Sequence, residues 1–422
     1  MNKHIENQNP ESHTEHTKIE TTIDLLMLAG QLLLEYGAET YRVETSIIRM
    51  FRSLGGSGEI NAVALGTLLT LDVFENGRHT AVRRIRRRGV NLEKLARVNN
   101  IVRKVSEGKA GAGEALSMLR ELDSAEIGNK AAQIFAAACF VSGMFVFMTG
   151  GIIRESAVAF ICCLMVQAGW IFVQKSASLV FVVNIFSGFL TALIALAGAS
   201  VLNCGLERII FGALLPLFPG VAMIIAIRDT INGDLTSGVA RGVEAALTAV
   251  GLALGVSLGI RCAAFFGEFA VTAAEKTAMG LPYAAFAVLV SFGAGLMLNA
   301  RFKISAAGAV IGGVVYAVFL LCGGTAAGVF VASLFLAALS ETAARIFKTP
   351  STLFLIMGVY PLVPGAGIYK TAALILQNNV QEALITGNAT AAELLFMAAG
   401  IAVVSALFKL KSHNNANHEL KK

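Results

Sequence analysis

The sequence predicts a membrane all-α protein of about ten transmembrane helices, arranged as an inverted repeat of five plus five behind a small amino-terminal α+β domain. Three observations predict it. The 422 residues are 55% hydrophobic and 15% charged, with a mean hydropathy of +0.69, which lies outside the range of soluble domains and excludes a cytosolic enzyme and a disordered chain. Charge is uneven, because residues 1–130 hold 18 of the 34 Lys/Arg and 17 of the 28 Asp/Glu. Finally, the motif Pro-Leu-x-Pro-Gly occurs twice, at Pro216–Gly220 and Pro361–Gly365, each in the middle of an apolar run.

Residues 1–20 are polar, carry His4, His13 and His16 among acids, and lack the apolar core of a signal peptide, so a disordered tail is expected. A domain follows over 21–125. Apolar positions at helical spacing across 22–54, interrupted at Tyr36–Thr40, predict two helices around a break. The apolar, β-prone stretch Glu59–Phe74, the Asn76-Gly77 turn signal and Arg78–Arg87 predict a hairpin, and helices are expected over 91–106 and 110–122. The basic run Arg83–Arg88 suits topology and lipid headgroups better than nucleic acid. Glu39, Arg42 and Glu44 could form an acid/base site, against the plainer reading of helix-surface charges with Arg42 paired.

A bilayer core about 30 Å thick needs roughly 20 apolar residues. Ten such windows run over 131–149, 156–174, 179–202, 209–227, 239–260, 281–300, 304–322, 324–340, 352–376 and 389–408. They group into halves over 131–260 and 281–410, with a cytoplasmic tail over 411–422. The seventh and eighth windows could also form one bent hairpin. Six cysteines (Cys139, Cys162, Cys163, Cys204, Cys262 and Cys322) lie in or beside apolar segments without metal-ligand spacing and read as small buried hydrophobes. No metal or other cofactor is expected. Glycines beside Ala and Ser, with Gly251, Gly255 and Gly259 spaced four apart, predict close helix packing, and leave both a compact bundle and a homo-oligomer open. Ten basic residues against the single acid Glu93 between Arg78 and Lys104 predict a cytoplasmic amino-terminal domain in the cell membrane. Lys409, Lys411, Lys421 and Lys422 put the carboxyl terminus on the same side, as an even number of spans requires.

Two prolines three apart, Pro216 with Pro219 and Pro361 with Pro364, remove helix donors at about 3 kcal/mol each unless the freed carbonyls find other partners. Inside a bilayer such backbone persists only where protein or a water-lined cavity covers it. Each motif therefore predicts a broken helix, with Gly220 and Gly365 allowing a solute close to the backbone. Flanking pairs 149 apart, Ser142/Ser291, Arg154/Lys303, Ser156/Ser305 and Glu244/Glu393, extend the repeat. Five spans per half invert the second copy. Charges in or beside spans should be paired or wet. Lys370 is a candidate for substrate, or else snorkels; Arg228, Asp229 and Arg241 are candidate charge partners. Glu244 and Glu393, matched at that spacing, are candidates for proton coupling, although Glu244 could instead pair with Arg241.

The segment Gly30–Glu44, with Tyr36-Gly37-Ala38-Glu39-Thr40 at its centre and Leu54-Gly55 beyond, resembles the amino-terminal signature of the threonine/serine exporter family. The second half with Pro361–Gly365 resembles that family's carboxyl-terminal module, so the resemblance covers nearly the whole chain. It implies a cytoplasmic-facing amino-terminal domain, about ten spans and export of small hydrophilic metabolites, threonine and serine in some members and dicarboxylates in split relatives. It assigns no catalytic residue. The expected activity is proton-motive-force-driven export of a small polar amino acid by alternating access, in contact with protons, membrane lipid and the solute. A dicarboxylate exporter is the first alternative, with Arg228, Arg241 and Lys370 as charge partners. The lack of a P-loop, Gly-x-Ser-x-Gly, His-Glu-x-x-His or paired aspartates disfavours a membrane-embedded enzyme, and a passive channel is separable by flux measurements.

Overall fold

The structure, a computed structural model, describes residues 10–75, 77–86, 89–125, 127–173, 180–265, 280–362 and 365–419. They divide into two units, one formed by Met1–Gly128 with Asn232–Ser237, the other by Asn129–Ile231 with Gly238–Lys422.

The first unit contains α1 (Pro10–Glu35), α2 (Thr40–Ser53), β1 (Glu59–Leu65), β2 (Leu68–Phe74), β3 (Arg78–Arg84), α3 (Leu92–Ser106) and α4 (Ala112–Ser124). Helix α1 starts at Pro10, inside the stretch expected to be a tail. It stops where Gly37 takes φ +96°, a conformation glycine adopts without strain, while Ala38 N–H donates back to Leu33 O. The expected hairpin is instead a three-stranded antiparallel meander, β1-β2-β3. Its first turn is the two residues Gly66-Thr67, with Leu65 opposite Leu68. The run from Glu59 to Phe74 hid that reversal, since strand alternation continues on both sides. The core joins Leu26 and Leu32 of α1, Ile47 and Met50 of α2, Leu69 and Leu71 of β2, Leu95 of α3 and Leu119 of α4, all buried. Gly30 lets α1 approach β2, for a Cβ there would meet Leu69 Cδ2 at 2.6 Å.

The second unit is helical throughout its described residues: α5 (Ala131–Met148), α6 (Ile153–Val173), α7 (Val180–Leu202), α8 (Leu206–Leu214), α9 (Gly220–Ile231), α10 (Leu235–Ala264), α11 (Ala284–Met297), α12 (Phe302–Leu321), α13 (Ala326–Phe347), α14 (Ser351–Val359), α15 (Gly365–Leu376) and α16 (Val380–Glu419). Six of these are long and apolar enough to cross a membrane, or eight when each of two bent pairs is one span. The expected ten exceeds this count because the apolar segment Leu281–Met297 is short and α6 does not meet the same test over its described residues. The windows at 304–322 and 324–340 are two helices, α12 and α13, each long and apolar enough to cross a membrane by itself. Helix α16 runs on to Glu419, into the expected tail. Asn76 of the expected turn, the Arg87-Arg88 pair, Pro364 and the terminal Lys421-Lys422 fall outside the described residues.

Element order recurs along the chain. Helices α6 and α12 start 149 residues apart, whereas α8 and α14, α9 and α15, and α10 and α16 start 145 apart. The four-residue difference arises between the start of α6 and the end of α7, a stretch of 50 residues against 46 from α12 to α13. Contacts recur with the elements. A Cβ at Gly255 of α10 would collide with Ile185 O of α7, and one at Gly400 of α16 would lie 2.8 Å from Phe330 O of α13. Both glycine and carbonyl shift by 145. The Gly251, Gly255 and Gly259 stripe thus packs within the chain, on Phe181, Ile185 and Phe189.

Helices α5 and α11 run antiparallel. Asn129, before α5, donates its backbone N–H to Asn299 Oδ1 (2.7 Å) and its side-chain amide to Leu296 O (2.6 Å), at the end of α11. At the other end Phe147 stacks on Phe286, with centroids 5.3 Å apart. Four cysteines are buried, but Cys262 and Cys322 are only partly so, contrary to expectation.

Because a helix backbone touches each glycine, Gly255→Ala and Gly400→Ala should each overpack an interface by about 1–3 kcal/mol. Gly242 of α10 meets nothing within 4 Å, so Gly242→Ala should leave the melting temperature in detergent unchanged or higher. Equal melting of all three would show that the close approaches are not held in solution.

Candidate functional site

The first motif breaks its helix as two missing donors require. Helix α8 passes into a 3-10 turn at Leu215–Leu217, the chain extends at Phe218, and α9 restarts at Gly220 with a 58° bend. Phe218 N–H is shared between Leu214 O (3.1 Å) and Leu215 O (3.2 Å), and Gly220 N–H turns back to Phe218 O (2.8 Å). Among the described residues, the carbonyls of Pro216 and Leu217 receive no backbone donor and the first-turn amides of Val221 and Ala222 reach no backbone acceptor. Side by side, the break offers acceptors and donors, the latter at the positive end of α9. The second motif repeats the plan: α14, a 3-10 turn at Tyr360–Leu362, then α15 from Gly365, with a bend of 50°.

The structure brings the two bent pairs together, running in opposite directions. Tyr369, on α15 one turn past Gly365, packs edge-on against Phe211 of α8 (5.6 Å between centroids) and tilts over Phe218 in the first break (6.1 Å). Lys370 Nζ lies 3.8 Å from Glu207 Oε1 near the start of α8, both about half exposed (46% and 54%). At the far end Arg228 of α9 donates to Thr352 Oγ1 near the start of α14 (3.2 Å). Arg228 and Thr352 are buried.

Beside Arg228, Asp229 is fully buried and lies 3.2 Å from Nε of the nearly buried Arg241 on α10. Of the three candidate charge partners, Asp229 and Arg241 thus lie side by side, while Arg228 reaches Thr352. Glu244 is exposed, and Glu393 is half-buried on α16. The two are not equivalent positions: at the 145 spacing that relates α10 to α16, Glu393 lies one turn beyond the mate of Glu244. Their 149 spacing belongs to the earlier helices only. Thr390, one turn before Glu393, is buried where α16 covers Gly367, whose absent side chain makes room for its hydroxyl. Tyr369, Thr352 and Glu207 escaped the sequence reading, since a single polar or aromatic residue in an apolar helix carries no spacing signal.

In the first unit Glu39 is buried and lies 3.6 Å from Arg42, so it is a paired helix-start residue, not a surface charge. Glu44 accepts from Ala64 N–H of β1 (2.9 Å). Burial pushes the Glu44 carboxyl above its ordinary range, the Ala64 hydrogen bond opposes the shift, and the Asp234 carboxylate adds to it.

Residues 24–263 match the family model of threonine/serine exporters (ThrE), more than half of the chain, and residues 283–407 match a second model described as Threonine/Serine exporter, ThrE. The chain belongs to the threonine/serine exporter family. A threonine/serine exporter of Corynebacterium glutamicum is 25% identical over 415 residues, covering 90% of this chain and 82% of that protein. No solved structure matches. Family membership makes the chain a multi-pass membrane transporter rather than an enzyme.

Asp229→Asn should cost about 3–5 kcal/mol, because it strips one charge from a buried pair, and Asp229→Asn with Arg241→Gln should cost less than the two single changes summed. Thermal melts of the purified variants check this, and strict additivity would show the pair is not coupled. Glu44 has its folded pKa raised, so its stabilising contribution is full below the unfolded pKa and is lost as pH rises through the raised value. Glu44→Gln should therefore melt higher than the parent at neutral pH, with the gap closing as pH falls below the carboxylate range.

Proposed function

We propose that this transporter is a secondary exporter of small polar amino acids, threonine- or serine-like, moving them by alternating access around the two helix breaks. The observation that carries the reading is the break at Pro216–Gly220. Its unbonded carbonyls at Pro216 and Leu217 suit an ammonium group, and the amides at Val221 and Ala222 with the α9 dipole suit a carboxylate. An α-amino acid carries both charges on one carbon. The names of the family and of the Corynebacterium relative agree with such cargo. The second break, with Pro361, Gly365 and Lys370, supplies the opposing wall.

The two halves form an inverted repeat of five spans each. Counting α6 and α11 as spans and each bent pair as one gives ten, and an odd number per half reverses the second. The antiparallel run of α5 along α11, and of one bent pair along the other, supports this. The amino-terminal unit and both chain ends are cytoplasmic, for the basic cluster Arg78–Lys104 resists translocation. Glu393, beside the α15–α16 contact, is the better candidate for proton coupling, and the proton motive force drives export. The buried guanidinium groups of Arg228 and Arg241 favour a second reading, a dicarboxylate as cargo.

Proteoliposomes loaded with labelled threonine, serine or succinate decide among these. Uphill efflux of threonine that collapses with a protonophore is expected; efflux of succinate alone would move the assignment to the second reading, and rapid flux that only follows its own gradient would make the protein a channel. Gly220→Ala and Gly365→Ala should lose at least tenfold in transport while reaching the membrane normally, because a Cβ obstructs approach to the backbone. Glu393→Gln should flatten the pH dependence of efflux; an unchanged profile would remove it from coupling.

A further inference from the structure

The first unit contains a cavity of about 150 Å³ that the helix breaks do not use. It lies between α1, the end of α2 and the β2–β3 turn, lined by Lys18, Ile19 and Thr22, Phe51 and Leu54, and Glu75, with Gly55 and Gly56 completing one wall. Its floor is apolar, Phe51 being buried, and its rim carries opposite charges.

That wall is built to one shape. Gly55 has φ +91° with open space around its missing side chain. A Cβ at Gly56 would sit 2.5 Å from the Phe51 ring, and one at Gly58 would strike Phe74 O, so the turn lies directly on the floor and on the end of β2. Arg52 fixes it from outside, donating to Gly56 O (3.1 Å) and Gly58 O (2.8 Å), and Ser57 donates its N–H (3.1 Å) and hydroxyl (3.3 Å) to Glu75 Oε1. A wall held by four hydrogen bonds and two close glycine contacts loses little entropy when something fills the space.

Two charges on the rim remain uncommitted. Glu75 spends only Oε1 on Ser57, and Lys18 makes no ion pair among the described residues. Thr22, which also lines the cavity, uses its hydroxyl hydrogen on Lys18 O (3.0 Å), and its oxygen keeps acceptor capacity. A cavity of this size holds a ligand about as large as benzene.

We infer that this cavity binds a small zwitterion, an α-amino acid, with its carboxylate on Lys18, its ammonium on Glu75 Oε2 and Thr22 Oγ1, and its short side chain over Phe51 and Leu54. The choice of amino acid rests on the export reading above, so the cavity would respond to the concentration of cargo without lying on its path. Charge-assisted hydrogen bonds at both ends make recognition depend on both charges of the ligand.

Hydrogen exchange on the purified full-length protein tests this, with threonine, serine, threoninol (no carboxylate) and N-acetylthreonine (no ammonium) as probes. Threonine or serine should slow exchange across 51–58, and the two truncated probes should not. Lys18→Met and Glu75→Gln, the latter retaining the acceptor for Ser57, should each raise the concentration needed for protection at least tenfold while efflux at saturating cargo persists. Absence of protection at concentrations that saturate transport, or equal protection by threoninol or N-acetylthreonine, would overturn the inference. Protection across 51–58 in a protein that moves no amino acid would leave the cavity standing and sink the export reading instead.

Discussion

A proline has no main-chain hydrogen to give, and within an apolar bundle only protein or enclosed water can replace the bond it breaks. Pro216 and Pro219 impose that deficit in the first half of the membrane unit, Pro361 and its motif in the second, and much of the unit is arranged around the result. Each helix bends by 50° or more. The bent pairs lie beside one another in opposite directions, with Tyr369 spanning from one to the break of the other. The buried charges gather at one end of this crossing, where Arg228 reaches Thr352 and Asp229 reaches Arg241. Buried ions add little net stability by themselves, so this cluster is not what holds the crossing together.

The two runs of recurring elements are filled differently. In the first, Gly212 of α8 lies against Val146 of α5 and Ala159 of α6; in the second, Met357 of α14 lies against Gly295 of α11 and Gly308 of α12. These are corresponding positions, 149 apart for the outer pairs and 145 for the inner one. Side-chain volume has moved from two elements to the third while the space between them stays occupied. Interiors pack to a nearly constant density, so a gain at one position requires a loss opposite it. Such an exchange leaves no residue identity to match at these positions, where the recurring element order is not visible in the sequence.

What could be read from the residues follows from how local the cause was. Apolar length placed the helices, and the missing proline donors placed the breaks, since both effects act along one continuous stretch of chain. The Gly66-Thr67 reversal was hidden by an unbroken apolar run, and the start of α1 by polar residues that a helix tolerates. Pairing was the least legible. Arg241 meets Asp229 of the preceding helix, and Lys370 meets Glu207, partners that only the crossing of separate helices defines. The Glu244/Glu393 match failed for a related reason: a four-residue difference in loop and helix length upstream shifts one set of positions by a turn relative to the other.

Residues 232–237, the turn after α9 and the first residues of α10, cluster with the amino-terminal unit although α9 and the rest of α10 belong to the membrane unit. The polypeptide therefore visits the amino-terminal fold twice, and cutting the chain near residue 128 would not free that fold intact, because six of its residues would stay behind with the helices. The natural seam lies elsewhere, between residues 263 and 283, where the two family matches part. A gene divided there would yield one product with the whole amino-terminal fold and one without any of it. Each would keep its own bent helix, and only their association would restore the facing pair.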